Sequence, residues 1–91
     1  MVEVKVFYGA VFARLAGRNS DLVRLDEPTV AALMRDLKTR HGKPFGDVLT
    51  GPLDNEVLPG VAVLVNGVNA APDTALKDGD EVAVLFSLGG G

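Results

Sequence analysis

The sequence contains no cysteine, which excludes disulfide bonds, thiolate metal ligands and a cysteine nucleophile. It has a single histidine, His41, which excludes a metal site built from several imidazoles. We predict that His41 is a solvated residue near a helix C-terminus, where it would interact with the helix dipole. Any reactive group of this chain must therefore be of another kind.

Basic residues are too few for a nucleic-acid binder. Nine Lys and Arg stand against twelve Asp and Glu, a formal net charge of −3, whereas affinity for a phosphate backbone comes from Lys and Arg. No apolar run approaches the ~20 residues that span a bilayer, and Met1–Lys5 does not have the pattern of a signal peptide. We therefore expect no nucleic-acid partner, no membrane partner and, by elimination, a cytoplasmic location.

Hydrophobic patterning predicts one domain that opens and closes with strands. Of its 91 residues, 47% are hydrophobic and 23% charged, which suits a single globular domain. Period-two alternation predicts strands at Val2–Tyr8 and Asp21–Leu25, joined as a hairpin by a turn over Ala10–Ser20. Later apolar runs predict strands at Val61–Val65 and Glu81–Phe86.

One main helix is predicted between the hairpin and the third strand. Thr29 is a suitable N-cap and Gly42 a suitable stop, and the apolar residues between them recur at helical spacing: Val30, Leu33, Met34 and Leu37. Residues 43–60 predict a long irregular connection with one helical turn around Phe45–Leu49. The economical packing is an α+β roll, a mixed sheet with one main helix packed across one face.

The sequence has no conventional catalytic constellation. Its candidate carboxylates fall in predicted turns, where Asp is favoured because it bonds to backbone N–H groups: Asp47, Asp54, Asp73, Asp78 and Asp80. The glycines are scattered and no Gly-Lys-Ser/Thr follows them, so no phosphate-binding loop is predicted. We predict no metal site and no bound cofactor.

The sequence closes on three consecutive glycines, Gly89, Gly90 and Gly91. Because glycine has no Cβ, such a tail can thread a narrow channel and bring its carboxylate to a partner's active site. A terminal carboxylate is ionised at neutral pH and is a poor electrophile. Activation by ATP would convert it to a reactive acyl-adenylate. This pattern indicates a carrier or a tag rather than an enzyme, although a flexible tail without function has the same composition.

Several segments match one known family: Val2–Tyr8, Phe12–Gly17, Pro28–Val30, Val65–Gly67 and Leu76–Ala83. On these segments the sequence resembles the MoaD/ThiS family of ubiquitin-like sulfur carriers, and most closely the small subunit of molybdopterin synthase. The family pattern continues with two residues, Pro-Pro, an aliphatic residue, a small residue and Gly-Gly. Gly90 and Gly91 fall on that diglycine without a gap, whereas Phe86 and Ser87 replace the prolines.

The resemblance implies a β-grasp domain over residues 1–86 and a flexible C-terminal glycine tail over 87–91. An E1-like activating enzyme would use ATP and Mg²⁺ to adenylate Gly91, which would then become a thiocarboxylate. Leu88, Gly89 and Gly90 would occupy a tunnel in the large subunit of molybdopterin synthase. Sulfur would pass there to a pyranopterin precursor of the molybdenum or tungsten cofactor, with the catalytic side chains supplied by the partner.

A carrier also needs a docking surface. The sheet face away from the helix should carry an apolar patch formed by Phe7, Ala62, Leu64, Ala83 and Leu85. The resemblance implies that this face contacts both the activating enzyme and the synthase large subunit. A shift of one residue in strand register would instead place these side chains in the core.

Three other functions share parts of this pattern. A ubiquitin-like modifier would use the same adenylate but transfer Gly91 to a lysine amine. A carrier for thiazole or cysteine biosynthesis would deliver sulfur to a different acceptor enzyme. A β-grasp interaction domain would carry an incidental glycine tail. The first two share the chemistry of the terminus up to the adenylate, so the sequence alone does not separate them.

Overall fold

The computed structural model describes residues 1–52 and 56–86 of the chain. Within these ranges it has five strands: β1 (Val2–Tyr8), β2 (Ser20–Leu25), β3 (Val61–Val65), β4 (Val68–Asn69) and β5 (Glu81–Phe86). The helices there are α1 (Ala10–Ala16), α2 (Val30–His41) and α3 (Lys43–Leu49). The strands form one mixed sheet in the order β2-β1-β5-β3-β4, in which β1 and β5 run parallel and the other neighbours antiparallel. The predicted α+β roll is confirmed.

The predicted β1–β2 hairpin is confirmed, with β2 beginning at Ser20. Val4, Val6 and Tyr8 are buried on β1, and Val23 and Leu25 are buried on β2. Their register pairs Val4 with Val23. Since facing residues of antiparallel strands point to one side of the sheet, this register fixes the core face of the whole sheet.

The prediction of a turn over Ala10–Ser20 is wrong, because Ala10–Ala16 forms helix α1. The helix buries Phe12 completely and ends at Gly17, whose φ of 76° lies in the left-handed region. The N–H of Gly17 donates to the carbonyl oxygen of Ala13, so glycine closes the helix as a C-cap. Burial of the Phe12 ring stabilises a helix that is too short to persist by itself.

The predicted helix α2 is confirmed in its cap, buried face and end. The Oγ1 of Thr29 accepts a hydrogen bond from the N–H of Ala32 at 3.2 Å. The predicted apolar residues are all buried: Val30, Leu33, Met34 and Leu37. The helix ends at Gly42, which has a φ of 85°.

The connection after Gly42 is more ordered than predicted. Instead of one turn around Phe45–Leu49, helix α3 begins at Lys43, and its apolar face buries Phe45 and Leu49. Pro44 lies in the first turn, where its missing N–H has no intrahelical partner to lose. Asp47 therefore lies in a helix and not in a turn, and its carboxylate pairs with Lys43 at 3.0 Å.

Strands β3 and β5 are also confirmed, and both lie inside the sheet. Asn66 and Gly67 have φ values of 50° and 84°, as a type I′ turn requires, and this turn leads into the short strand β4, which was not predicted. The sheet and the three helices bury their apolar side chains in one common core. None of the helices within the described ranges is long and apolar enough to cross a membrane.

Candidate functional site

The predicted reactive residue, Gly91, lies outside the described residues, as do Leu88, Gly89, Gly90 and the predicted tail as a whole. The structure gives the position from which this segment begins. β5 lies between β1 and β3 and ends at Phe86, which pairs with Val61 of β3. The last described residue therefore lies in the middle of the sheet.

The five residues predicted to form the docking patch share one sheet face. Phe7 of β1 faces Ala83 of β5, Ala83 faces Leu64 of β3, and Leu85 faces Ala62. Phe7 is 38% exposed, and none of the five belongs to the buried core. Their side chains therefore lie opposite the core face, on the side of the sheet expected from the sequence. That they bind a partner stays a prediction.

This apolar face extends further than predicted, onto β2. Leu22 is 61% exposed and faces Lys5 across the β1–β2 ladder, on the same side of the sheet as Phe7. The Nζ of Lys5 lies 5.1 Å from the centroid of the Phe7 ring, within the range of a cation–π contact. Period-two alternation could have placed Leu22 there, since Val23 is its inward neighbour. We call Phe7, Leu22, Ala62, Leu64, Ala83 and Leu85 the apolar face.

The end of β5 is packed against helix α1. The rings of Phe86 and Phe12 are stacked, with centroids 5.2 Å apart and planes inclined by 17°. The N–H of Gly9 donates to the carbonyl oxygen of Val84 at 2.8 Å. A Cβ on Gly9 would lie only 2.8 Å from the Cβ of Leu85, so only glycine allows this close approach of the two segments.

A buried polar cluster lies at the same end of the sheet, where α2 ends. The hydroxyl of Tyr8 donates to Oδ2 of Asp21 at 2.6 Å, and Nε2 of His41 lies 2.9 Å from the same oxygen. Arg18 donates to Oδ1 of Asp21 at 2.9 Å. The prediction of a solvated His41 is wrong, because its side chain is only 8% exposed and its ring also packs against Phe45.

The electrostatics of this cluster keep Asp21 ionised. Burial alone would raise the pKa of Asp21, but hydrogen bonds from Tyr8, Arg18 and His41 outweigh it and hold that pKa below its ordinary value. Burial, followed by the hydrogen bond to Asp21, raises the pKa of Tyr8 far above its ordinary value. A neutral phenol that donates to an ionised carboxylate is a stable structural arrangement.

The carboxylates near the start of β5 have structural roles. Oδ1 of Asp78 accepts the N–H of Glu3 at 2.8 Å, and Oδ2 of Asp80 accepts the N–H of Lys77 at 2.8 Å. The Lys77 bond, with a second bond from Asn66, lowers the pKa of Asp80. Asp54 lies outside the described residues, and within them no three His, Asp or Glu side chains are grouped to hold a metal ion.

Comparison with known proteins gives one consistent family. The model of the ThiS family matches residues 6–91. No curated protein sequence matches the chain. A solved structure described as molybdopterin converting factor subunit 1 from Pyrococcus furiosus is 35% identical in sequence, with a TM-score of 0.78. The match covers 94% of this chain and 98% of that protein.

Two further solved structures carry different names on the same fold. Small archaeal modifier protein 1 of Haloferax volcanii is 28% identical, with a TM-score of 0.79, and the match covers 94% of this chain and 98% of that one. Urm1 of Trypanosoma brucei is 30% identical, with a TM-score of 0.76, over 98% of this chain and 95% of that one. The predicted β-grasp architecture is thus confirmed.

Proposed function

The chain belongs to the ThiS family of ubiquitin-like sulfur carriers and modifiers, and from this premise we propose that it is the small, sulfur-carrying subunit of a molybdopterin synthase. The observation that carries the proposal is its 35% identity to molybdopterin converting factor subunit 1 of Pyrococcus furiosus over nearly the full length of both chains. The family match also reaches residue 91 and so includes the glycines of the proposed reactive terminus.

The proposed chemistry takes place at Gly91. In an E1-like activating enzyme, an oxygen of its carboxylate attacks the α-phosphorus of ATP, held with Mg²⁺, and pyrophosphate leaves. A sulfur nucleophile then attacks the acyl carbon and AMP leaves, which produces the thiocarboxylate. In the large synthase subunit, this sulfur passes to a pyranopterin precursor and the carboxylate is regenerated with oxygen from water. The carrier contributes the acyl group, and its partners contribute the catalytic side chains.

The geometry of the described residues supports this division of labour. Asp21, Tyr8 and His41 hydrogen-bond to one another on the core side of the sheet, away from the apolar face. The apolar face includes Leu85 of β5, which ends at Phe86, and the proposed tail begins at the next residue of the sequence. A partner that covers this face therefore has the root of the tail within its reach, since six residues from Leu85 to Gly91 span at most about 20 Å.

Reconstitution tests the proposal. The chain, an activating enzyme and a synthase large subunit from the same organism are incubated with ATP, a sulfur source and the pyranopterin precursor. We expect formation of the dithiolene product, and no product when a variant lacking Gly91 replaces the wild-type chain. The large subunit must first be shown to be active with another carrier. Formation of the thiocarboxylate without pterin product would then contradict the pyranopterin precursor as the sulfur acceptor, but would still support a sulfur-carrier function.

A second candidate function is protein modification. It is favoured by the similarity to Haloferax volcanii small archaeal modifier protein 1 and to Urm1 of Trypanosoma brucei, which is 30% identical to this chain. Here a lysine amine would attack the adenylated Gly91, or a thioester formed from it, and give an isopeptide. Mass spectrometry of tryptic digests of cell extracts separates the functions, because lysines joined to Gly91 form only in the second. Delivery of sulfur to thiazole or cysteine synthesis would give neither isopeptides nor pterin product.

A further inference from the structure

Phe86 is the last residue of β5, and two contacts fix it. Its backbone lies in the ladder with Val61 of β3. Its ring lies parallel to that of Phe12, with 5.2 Å between centroids and 17° between planes, which is the geometry of an offset aromatic stack. Backbone and side chain are therefore held by two different elements, β3 and α1.

The ring on which Phe86 rests is itself enclosed by the core. Phe12 is completely buried and contacts Phe45 edge-on, with centroids 5.4 Å apart. Helix α1 is joined to β5 at its start, where Gly9 bonds to Val84 and leaves no space for a side chain against Leu85. Since interiors are close-packed, Phe12 acts as a rigid support for the end of the strand.

We propose that Phe86 is a positioning residue, which through its stack on Phe12 sets the point and direction from which the reactive terminus enters an activating enzyme. The inference rests on the proposed function, since it assigns to Phe86 a role in that same chemistry. Five residues follow Phe86 and span at most about 17 Å. A change of direction at their root shifts the region that Gly91 can reach, whereas attack requires reacting atoms about 3–3.5 Å apart.

The kinetic test compares the adenylation of wild type, Phe86→Ala and Phe86→Tyr by an activating enzyme. The rate of ATP–pyrophosphate exchange measures adenylation. In Phe86→Ala the apolar face is intact, so KM for the carrier should change less than about twofold while kcat falls at least about tenfold. Phe86→Tyr keeps the ring and should restore kcat. A merely structural role predicts a lower unfolding midpoint with an unchanged kcat, and that result would overturn the proposal.

Two further variants distinguish a loss of stability from a loss of positioning. Leu25→Ala removes a buried side chain of β2, at the end of the hairpin away from Phe86, and should lower the unfolding midpoint without lowering kcat. If Phe86→Ala does not fold, Phe86→Leu replaces it, because it keeps apolar bulk but removes the stack. A kcat for Leu25→Ala as low as that of the Phe86 variant would count against positioning.

An NMR measurement on the free protein tests the role of Phe86 independently of the proposed function. The heteronuclear ¹⁵N NOE of the Ser87 and Leu88 amides is recorded for the free wild type, Phe86→Ala and Phe86→Tyr. We expect lower values in Phe86→Ala only, and equal values in all three would overturn the role of Phe86. The activating enzyme must be shown to be active on another carrier. If it does not adenylate the wild-type chain, the proposed function is contradicted, and the NOE comparison alone then tests whether Phe86 orders the residues that follow it.

Discussion

In the part of the chain that the structure describes, Asp21 is the one charged residue that is buried. Its side chain is only 2% exposed, and it receives hydrogen bonds from Tyr8 and Arg18 and contacts His41. Because the carboxylate is a better acceptor than the protonated acid, these bonds lower its pKa despite burial. A group with a lowered pKa in the folded state stabilises the fold only while it is ionised.

This linkage predicts an acid-sensitive stability. The contribution of Asp21 is fully present above the ordinary carboxyl pKa of about 3.9 and is lost as the pH falls through that value toward the lower pKa of the folded state. Urea unfolding between pH 7 and pH 2.5 should therefore show a steeper loss below about pH 4 for wild type than for Asp21→Asn. Asp80 titrates in both proteins and serves as an internal control. Parallel curves would show that Asp21 gains nothing from its partners.

The sequence predicted where His41 lies along the chain but not what it contacts. Its position at the end of α2 followed from the apolar spacing and from Gly42. Its burial depends on Tyr8 and Asp21, which precede it by 33 and 20 residues. These groups meet only because the β1–β2 register and the packing of α2 on the sheet bring them together. The spacing of residues along the sequence predicts neither of these tertiary contacts.

At the scale of elements, Gly9 joins α1 to β5. A Cβ at this position would lie 2.8 Å from Cβ and 3.2 Å from Cα of Leu85, and the Cα belongs to a strand that cannot rotate away. Gly9→Ala should therefore lower the free energy of unfolding by about 1–3 kcal/mol, the usual cost of overpacking. Urea denaturation at constant pH measures this change.

Gly46 provides the matched control for Gly9. It lies within α3, where an added Cβ would meet only the flexible side chain of Lys38 at 3.4 Å or more. Gly46→Ala should be neutral or stabilising by up to about 1 kcal/mol, since alanine favours a helix interior. Equal losses in the two variants would show that the contact between Gly9 and Leu85 has no special cost.

The sequence analysis missed α1 and predicted only one turn of α3, and both elements are short and depend on tertiary contacts. α1 and α3 have seven residues each, which is below the length at which helices persist alone. The glycines flanking α1 favoured a turn, and only the burial of Phe12 against Phe45 and Phe86 makes a helix preferable. β1 and α2 were predictable because each contributes several core residues at a regular period, and β3 and β5 because each is a continuous apolar run.

The apolar face yields a prediction for the sheet as an element. Leu64→Arg places a charge at its centre, opposite Ala83, and should weaken binding to an activating enzyme at least about tenfold because the arginine would be desolvated without a partner. Isothermal titration calorimetry measures the change, with the unfolding midpoint as a check on folding.

Val68→Arg is the control for this variant. Val68 is 69% exposed and pairs with Val65 at the edge of the sheet, outside the apolar face. Its replacement should leave binding within about twofold of wild type, as expected for a surface position away from the contact. Equal weakening by both variants would indicate that binding follows net charge rather than this face.

At the scale of the whole molecule, the apolar face and the end of β5 lie at different places on the same sheet. The helices and one side of the sheet form the core, and the other side carries the apolar face. β5 contributes to that face through Ala83 and Leu85 and ends at Phe86 in the middle of the sheet. Strand alternation in the sequence predicted the apolar face, whereas the stack of Phe86 on Phe12 was not predicted because it depends on the position of α1.

The central claim is that Gly91 becomes a thiocarboxylate. The most direct measurement is the intact mass of the protein after incubation with ATP, a sulfur source and an activating enzyme from the same organism, with fragmentation to locate the change. We predict replacement of one oxygen by sulfur on Gly91. We predict no change in a variant lacking Gly91, because its carboxylate is withdrawn by about 3.3–3.6 Å. An unmodified wild-type terminus, with an enzyme shown to activate another carrier, would contradict the account.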